Sequence, residues 1–347
     1  MSTPSPTPDA PTAEPSAPLE PKPPERAPNE WAVLGGVRFV LAVVVMFSHF
    51  NNVVQHFDPW YQFWELGSLA AVVGFFLISG YSIANSIEKK PKGYFVRRYM
   101  RIYPLYFSVL VLSALLYFMG PEVVWPLQTV ERPSAASVVG CIFLLQGFFI
   151  KVPWANSPLW TLSIEVFYYL FAPLFKRTPL VVLSILIAVS GAVYWTGWHP
   201  NWDGPTWSYA RQLYGFSAGA FLWAWLLGFA FYFARDSAAA QVALVCVPVF
   251  LICRNNQLGG YYAPLTLAAV AMVMINARRF PLDKGVAKFL NYLGDLSYPL
   301  YLVHVPSIAY TWRIFHTLNA PVYIAMAIML AAALFHTVDQ PLRRPKH

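Results

Sequence analysis

The chain has 347 residues, of which 57% are hydrophobic and 12% are charged, and its formal net charge is +8. Soluble domains carry about 25% charged residues, so this composition excludes a soluble globular domain and indicates an integral protein of the lipid bilayer. The basic residues form short clusters between apolar runs rather than one long stripe, which argues against nucleic acid as a partner.

Residues 1–29 are rich in Pro, Ser, Thr, Ala and Glu and contain almost no large apolar residue. Such a segment buries too little surface to offset its loss of conformational entropy, so we expect a disordered, Pro-rich cytoplasmic tail. It lacks the basic start and apolar core of a signal peptide. Residues 30–344 are predicted to form one membrane domain.

Apolar runs long enough to cross lipid recur between residues 31 and 338 and predict an all-α, polytopic bundle of about ten transmembrane helices. The predicted spans lie near 31–50, 67–86, 102–120, 158–175, 180–197, 213–234, 238–253, 261–277, 292–312 and 320–338. An eleventh apolar run, 135–150, is shorter, and we expect a re-entrant or tilted element there.

The predicted orientation depends on four basic clusters: Lys89–Arg101, Lys176–Arg177, Arg278–Lys288 and Arg343–Lys346. If 135–150 does not cross, all four lie on one side, and cytoplasmic loops carry such an excess of Lys and Arg. We therefore predict a multi-pass protein of the inner (plasma) membrane with both termini in the cytoplasm. The three cysteines lie in apolar runs without a C-x-x-C pair, which predicts buried free thiols and no metal site.

The first span contains two polar side chains, Arg38 and His49, eleven positions apart. At 3.6 residues per turn they face the same way, with a rise of about 16 Å between them. An intramembrane Arg costs about 2.5–3.5 kcal/mol even on the lenient insertion scale, so Arg38 should face protein or a wet cavity. A functional pair, or a structural arginine with an interfacial histidine, fits this span equally well.

The loop after the second span contains six cations within fourteen residues, among them Arg97, Arg98 and Arg101. Guanidinium groups bind phosphate bidentately, and Arg98 and Arg101 share a face if this stretch is helical. Taken alone, the loop is better explained by topology and by contact with anionic lipid.

Glu165 lies about two turns into the predicted span at 158–175, at a depth where a carboxylate needs a partner. Arg38 or His49 would serve as that partner. A purely structural ion pair is the alternative.

Ser297, Tyr301 and His304 follow at i, i+4 and i+7 and form one helical stripe. Inside lipid, such a stripe is either a hydrogen-bonded seam between helices or the lining of a pocket. From the stripe alone, the seam is favoured.

Small residues predict two close helix contacts. Ser79 and Gly80 allow close backbone approach in the second span. Gly215 and Gly219 match G-x-S-x-G, but that hydrolase signature has meaning only at a strand-to-helix turn. In an apolar span, the same spacing predicts a G-x-x-x-G packing contact.

Together these segments resemble the acyltransferase-3 family of membrane acyltransferases. Each segment is modest alone, but six occur in the family's order over residues 31–344. They are Arg38 with His49, Phe75–Tyr81, Arg97–Pro104, Leu159–Glu165, Leu293–His304 and Val338–Arg344.

The resemblance implies transfer of an acyl group, most often acetyl, from cytoplasmic acyl-CoA to a hydroxyl of a surface saccharide or lipid-linked glycan. Acyl-CoA would be the donor substrate, and no cofactor would be bound permanently. By position, His49 would be the general base, Arg38 would stabilise charge on the thioester oxygen, and Glu165 would orient one of them. A covalent acyl-histidine is a variant of this scheme.

The resemblance also assigns binding residues. The phosphates of CoA would be held by Arg97, Arg98 and Arg101. The pocket would be lined by Trp160, Ser163, Ser297, Tyr301 and His304.

Two other function classes remain open. A transporter of an acyl group, a proton or a small solute would also use intramembrane Arg, His and Glu, but would show flux without transferase activity. A non-catalytic subunit of a polysaccharide export machine would keep surface acylation intact after His49→Ala. Neither class requires the arginine-rich loop or the order of the motifs.

Overall fold

The computed structural model describes Met1 and residues 29–50, 59–120, 123–124, 129–130, 132–150, 156–196, 215–253 and 260–343. This part of the chain is an α-helical bundle, as predicted. Its helices are α1 Asn29–His49, α2 Ser68–Lys89, α3 Tyr94–Leu115, α4 Ala135–Ile142, α5 Leu159–Arg177, α6 Leu180–Thr196, α7 Phe216–Ala234, α8 Ala238–Cys253, α9 Ala263–Asn276, α10 Lys284–Phe315 and α11 Ala320–Leu334.

Shorter elements extend or connect these helices. Two 3₁₀ helices, Pro59–Leu66 and Leu116–Met119, precede α2 and prolong α3. One antiparallel pair joins strands β1 (Val123–Val124) and β2 (Thr129–Val130). After α11, the chain makes a π-helical turn over Phe335–Asp339 and ends in α12, Gln340–Arg343.

Each of the ten predicted spans overlaps one of these helices. Five helical stretches in the described part are long and apolar enough to cross a membrane: 29–49, 68–89, 94–119, 216–234 and 320–343. Helices α6, α8 and α9 are apolar but shorter. The chain is therefore a multi-pass membrane protein, and the number of ten spans stays a prediction.

The segment 135–150 does not form a spanning helix. Helix α4 has eight residues and a length of about 12 Å, against a hydrocarbon core of about 30 Å. The chain then turns, and buried Gln146 donates to the hydroxyl of Tyr106 and to the carbonyl of Leu159. This geometry agrees with the expected non-crossing element, while its depth in lipid stays a prediction.

Contacts join the basic clusters at one end of the bundle. Lys176 at the end of α5 pairs with Glu88 at the end of α2, at 3.0 Å. Arg278, after α9, pairs with buried Glu30 at the start of α1, at 3.4 Å. Tyr81 of α2 also donates to Glu30, so both pairs belong to the same end.

The carboxyl-terminal motif folds back onto α10 near that end. Arg343 binds both carboxylate oxygens of Asp339 and also reaches Asp295 of α10. Asp339 is 3% exposed and belongs to the π-helical turn, so the turn delivers a buried carboxylate to α12. The described residues of the four clusters, which in the last cluster means Arg343 alone, thus lie on one side, as predicted; which side faces the cytoplasm stays a prediction.

Helices α2 and α7 cross at two glycines. A Cβ on Gly80 would lie 2.0 Å from the carbonyl oxygen of Trp225, and one on Gly228 would lie 1.9 Å from that of Leu77. Only hydrogen fits between these backbones, as small residues permit at membrane helix contacts. The predicted close approach at Gly80 is confirmed.

Helices α1 and α10 run in parallel and also touch through glycine. A Cβ on Gly294 would lie 2.6 Å from the Cα of Gly35. This contact brings the Arg38–His49 face of α1 against the Ser297–His304 stripe of α10. The polar residues of two distant segments are thereby placed together.

Two smaller expectations need correction. Gly219 marks no close approach of another backbone, because nothing lies within 4 Å of a Cβ built there, and its carbonyl accepts a hydrogen bond from Ser190 of α6 at 2.6 Å. Gly215 instead caps the start of α7 with a φ of 71°. Cys141 is buried, but Cys246 and Cys253 are exposed on the surface of the bundle. The described residues contain no group of three metal-ligating side chains. The tail lies outside the described residues, so the boundary near residue 29 stays a prediction.

Candidate active site

A cavity of about 510 Å³ opens among the helices α1, α2, α3, α5 and α10. Seven of the predicted site residues line it: Arg38, Arg97, Arg98, Arg101, Glu165, Ser297 and Tyr301. Its lining runs from the turn between α2 and α3, at the basic end of the bundle, to Tyr301 and Thr161 inside it. The three arginines predicted to bind the CoA phosphates and two of the predicted pocket residues, Ser297 and Tyr301, therefore line the same cavity.

The mouth of the cavity is strongly basic. Its lining includes six cations and one carboxylate, that of Glu165; the cations are Arg38, Lys89, Lys90, Arg97, Arg98 and Arg101. Arg98 donates to Ser86 at 2.7 Å, while its buried Nε has no hydrogen-bond partner among the described residues. Arg97 is bound differently, because its guanidinium donates to the backbone carbonyls of Lys90 and Lys92.

Glu165 has other partners than those expected. Its Oε1 accepts hydrogen bonds from Ser79 at 2.5 Å and from Tyr169 at 2.6 Å. Within the described helices it forms no ion pair with Arg38 and does not touch His49. Two hydroxyl donors therefore satisfy this intramembrane carboxylate in place of a cation.

Arg38 lies in the cavity wall, and its Nε is buried without a partner in the described part of the chain. Because α1 is continuous, Arg38 and His49 are separated by about 16 Å along the axis, and helical side chains lean toward the amino terminus. The guanidinium of Arg38 is therefore directed away from His49. The expected role of Arg38 at the thioester carbonyl stays a prediction.

Tyr301 closes the inner end of the cavity. Its hydroxyl lies 2.7 Å from Thr161 Oγ1. Thr161 itself donates to the carbonyl of Pro158, so Tyr301 is the donor to Thr161. The ring of Phe75 packs against Tyr301 at 5.3 Å. Tyr301 therefore forms a plug that contacts Thr161, the ring of Phe75 and, at 3.5 Å, the carbonyl of Pro158 at the start of α5.

His49 and His304 lie together beyond this plug, outside the cavity lining. Their rings meet edge to face with centroids 5.0 Å apart, and the ring of Tyr301 lies 5.9 Å from that of His304. The Nε2 of His49 faces the hydroxyl of Ser157 at 3.4 Å. His49 is partly exposed and His304 is fully buried.

Three residues that were predicted to line the pocket lie outside this cavity. The ring of Trp160 packs at a tilt against that of Phe221, with centroids 5.4 Å apart. Ser163 donates to the carbonyls of Gln146 and Trp160 and so ties the non-crossing segment to α5. Trp160, Ser163 and His304 thus do not line this cavity, whereas Ser297 and Tyr301 do, and the role of all five in binding substrate stays a prediction.

Sequence reasoning missed several hydroxyl groups of the site. Tyr169 follows Glu165 by four positions, and this helical spacing was a usable signal. Ser79 and Thr161 lie inside the motifs already noted, but nothing in their local pattern indicates a partner. Ser157 precedes α5, and only the fold shows that it reaches His49.

Comparisons with known proteins show which family the chain belongs to. The family model described as "Acyltransferase domain" (acyltransferase-3) matches residues 31–337. The chain is 25% identical over 360 residues to peptidoglycan O-acetyltransferase OatA of Listeria monocytogenes, covering 90% of this chain and 55% of that protein. It is 32% identical over 172 residues to nodulation protein 10 of Rhizobium leguminosarum, covering 43% and 47% of the two chains.

A further relative is acyltransferase MdmB of Streptomyces mycarofaciens, 32% identical over 117 residues, which cover 32% of this chain and 29% of that protein. The match spans about half the length of OatA and of nodulation protein 10. No solved structure matches the chain. Since the family model covers almost all of its length, the chain belongs to the acyltransferase-3 family of acyltransferase domains.

Proposed function

We propose that this protein is a membrane O-acyltransferase that moves an acyl group, most often acetyl, from cytoplasmic acyl-CoA to a hydroxyl of a surface or exported saccharide. The observation that carries the proposal is the single cavity that leads from an arginine-rich mouth to the plug in front of His49. The names of OatA and MdmB, an O-acetyltransferase and an acyltransferase, support the same reaction class.

The donor end is suited to coenzyme A. Six cations face one carboxylate in the cavity wall, and arginine binds phosphate through paired N–H donors. Arg98 and Arg101 hold the phosphates at the mouth. Arg38, deeper in the same wall and with an unpartnered Nε, adds a further donor toward CoA. The thin pantetheine arm then extends along the cavity toward Tyr301.

The acceptor end is suited to proton removal from a hydroxyl. The carbonyl of Val45 can only accept a hydrogen bond, so the 2.9 Å contact requires that His49 Nδ1 carries the hydrogen. In the neutral ring this leaves a lone pair on Nε2, the atom that faces Ser157. His49 Nε2 is then the general base, a role typically worth about 10²–10⁴ in rate.

The membrane gives the reaction its direction. The basic end of the bundle faces the cytoplasm, where acyl-CoA is made, and both termini lie on that side in the inner membrane. His49 is at the opposite end of α1, partly exposed, where a saccharide arrives from outside. Donor and acceptor thus enter from different compartments and never compete for one opening.

The test uses a deletion strain complemented with the wild-type chain or with His49→Ala. Acyl groups on the surface saccharides are released with mild base and quantified. We expect acylation with the wild-type chain and loss with His49→Ala at equal membrane abundance. Unchanged acylation in all strains would refute a saccharide acceptor. Flux of labelled acetyl groups by purified protein without stable transfer would support the transporter instead.

A further inference from the structure

The acyltransferase mechanism above uses one imidazole, yet the structure holds two in contact. His304 belongs to α10 and is 0% exposed. Its Nδ1 lies 3.2 Å from the carbonyl of Leu300, four residues earlier, which fixes the hydrogen on Nδ1 as in His49. Both rings therefore carry an unprotonated Nε2 in their neutral forms.

The Nε2 of His304 has no hydrogen-bond partner among the described residues. A buried polar atom without a partner is unfavourable, and such atoms in folded proteins call for an explanation. A nitrogen lone pair is completed by a hydrogen donor. During acyl transfer the donors present near the two rings are the acceptor hydroxyl, the imidazolium of His49 and the released thiol of CoA.

The position of His304 favours the donor side of the reaction. It follows Tyr301 by three positions on α10, and its ring lies 5.9 Å from the Tyr301 ring that closes the CoA cavity. His49 lies on its other side, where Ser157 and the exposed face begin. Going outward from the cavity, the structure therefore places Tyr301 first, then His304 and then His49.

We infer that His304 is a second acid–base residue, which returns the proton to the sulfur of CoA; this rests on the proposed function. His49 Nε2 takes the proton from the acceptor hydroxyl, and the oxygen of that hydroxyl bonds to the carbonyl carbon of the thioester. The proton passes from His49 to Nε2 of His304. The C–S bond then breaks, sulfur keeps the electron pair, and His304 protonates it to the thiol. Both imidazoles end neutral.

The test compares two donors in membranes of the deletion strain, which contain the native acceptor. The donors are radiolabelled acetyl-CoA and the thioacetate of 4-nitrothiophenol, whose thiolate leaves without being protonated. With His304→Gln we expect transfer from acetyl-CoA to fall about a hundredfold, the lower end of general acid–base effects. Transfer from the aryl thioester should stay within about threefold of wild type, since no proton is needed at its sulfur.

A second measurement uses acetyl-CoA alone. Transfer by the wild-type chain should slow in D₂O, and His304→Gln should lose this solvent isotope effect because C–S cleavage then proceeds without protonation. Equal losses with both donors and an unchanged isotope effect would overturn the role of His304. His49→Gln should abolish transfer from both donors, and an active His49→Gln would refute His49 as the general base. Absence of transfer by the wild-type chain would refute the proposed function itself.

A matched control separates chemistry from packing. Ser307 is also buried on α10, and its hydroxyl donates to the carbonyl of His304 at 2.7 Å. Ser307→Ala removes a polar group from the same turn without touching Nε2, so both donors should react as in the wild type. Retained binding of CoA by His304→Gln shows that the variant is folded.

Discussion

At the scale of single residues, the cavity mouth distinguishes arginines that are available to a ligand from one that is bound to backbone. The buried Nε of Arg98 has no hydrogen-bond partner in the described structure. The guanidinium of Arg97, by contrast, donates to two backbone carbonyls. Six cations in a loop look alike in sequence. The hydrogen bonds that each forms in the folded chain distinguish them, and they make Arg98 a better candidate than Arg97 for binding phosphate.

This ranking predicts unequal effects on donor binding. Arg98→Gln should weaken CoA binding by about 1.5–3 kcal/mol, the range for hydrogen bonds to charged groups. Arg97→Gln should have a smaller effect. Lys176→Gln, at the same end but paired with Glu88 outside the cavity, serves as the control and should leave affinity unchanged. Calorimetry with CoA in nanodiscs measures all three, and equal losses for Arg97 and Arg98 would contradict the ranking.

The sequence identified polar residues that line the cavity more reliably than it identified the partners of those residues. The cost of a charge in lipid singled out Arg38 and Glu165, and both line the cavity. The same argument led to an ion pair between charged groups, but Ser79 and Tyr169 satisfy Glu165 instead. Ser79 is 86 positions away, and partner choice over that distance depends on helix packing that no local pattern records.

At the scale of helices, spacing alone could not locate the glycine contacts. Gly215 and Gly219 have the expected four-residue spacing but make no helix crossing, whereas Gly80 and Gly228 touch opposite backbones without such a motif. A glycine is required only where another backbone comes close. That condition is a property of two helices together.

Two substitutions in α7 test this distinction. Gly228→Ala forces a methyl group to within 1.9 Å of the Leu77 carbonyl oxygen, so α2 and α7 must separate. We expect the free energy of unfolding to fall by about 1–3 kcal/mol, as for overpacked cores, and the Tm in detergent to fall with it. Gly219→Ala meets nothing within 4 Å and should be neutral or stabilising by about 0.5–1 kcal/mol through helix propensity. A similar loss in both variants would show that the clash at Gly228 is not the cause.

At the scale of the whole molecule, one end of the bundle collects the basic clusters and the other holds the histidine pair. The all-helical architecture, the order of the apolar helices and the shared side of the described basic residues followed from hydropathy and charge. The internal cavity did not follow from them, because it depends on α1, α2, α3, α5 and α10 being assembled around it. In the proposed reaction, the separation of the two ends gives the donor and the acceptor different sides of the membrane.

Sidedness is testable without knowing the substrate. Lys90, between α2 and α3, and Asn319, between α10 and α11, are both exposed. In a background with Cys141, Cys246 and Cys253 replaced by serine, Lys90→Cys and Asn319→Cys introduce one thiol each. A membrane-impermeant maleimide added to intact cells should label Asn319→Cys alone, and in inverted vesicles it should label Lys90→Cys alone. Labelling of both thiols from one side would contradict the proposal that only the basic end of the bundle lies in the cytoplasm. The cavity mouth and the histidine pair would then not face different compartments.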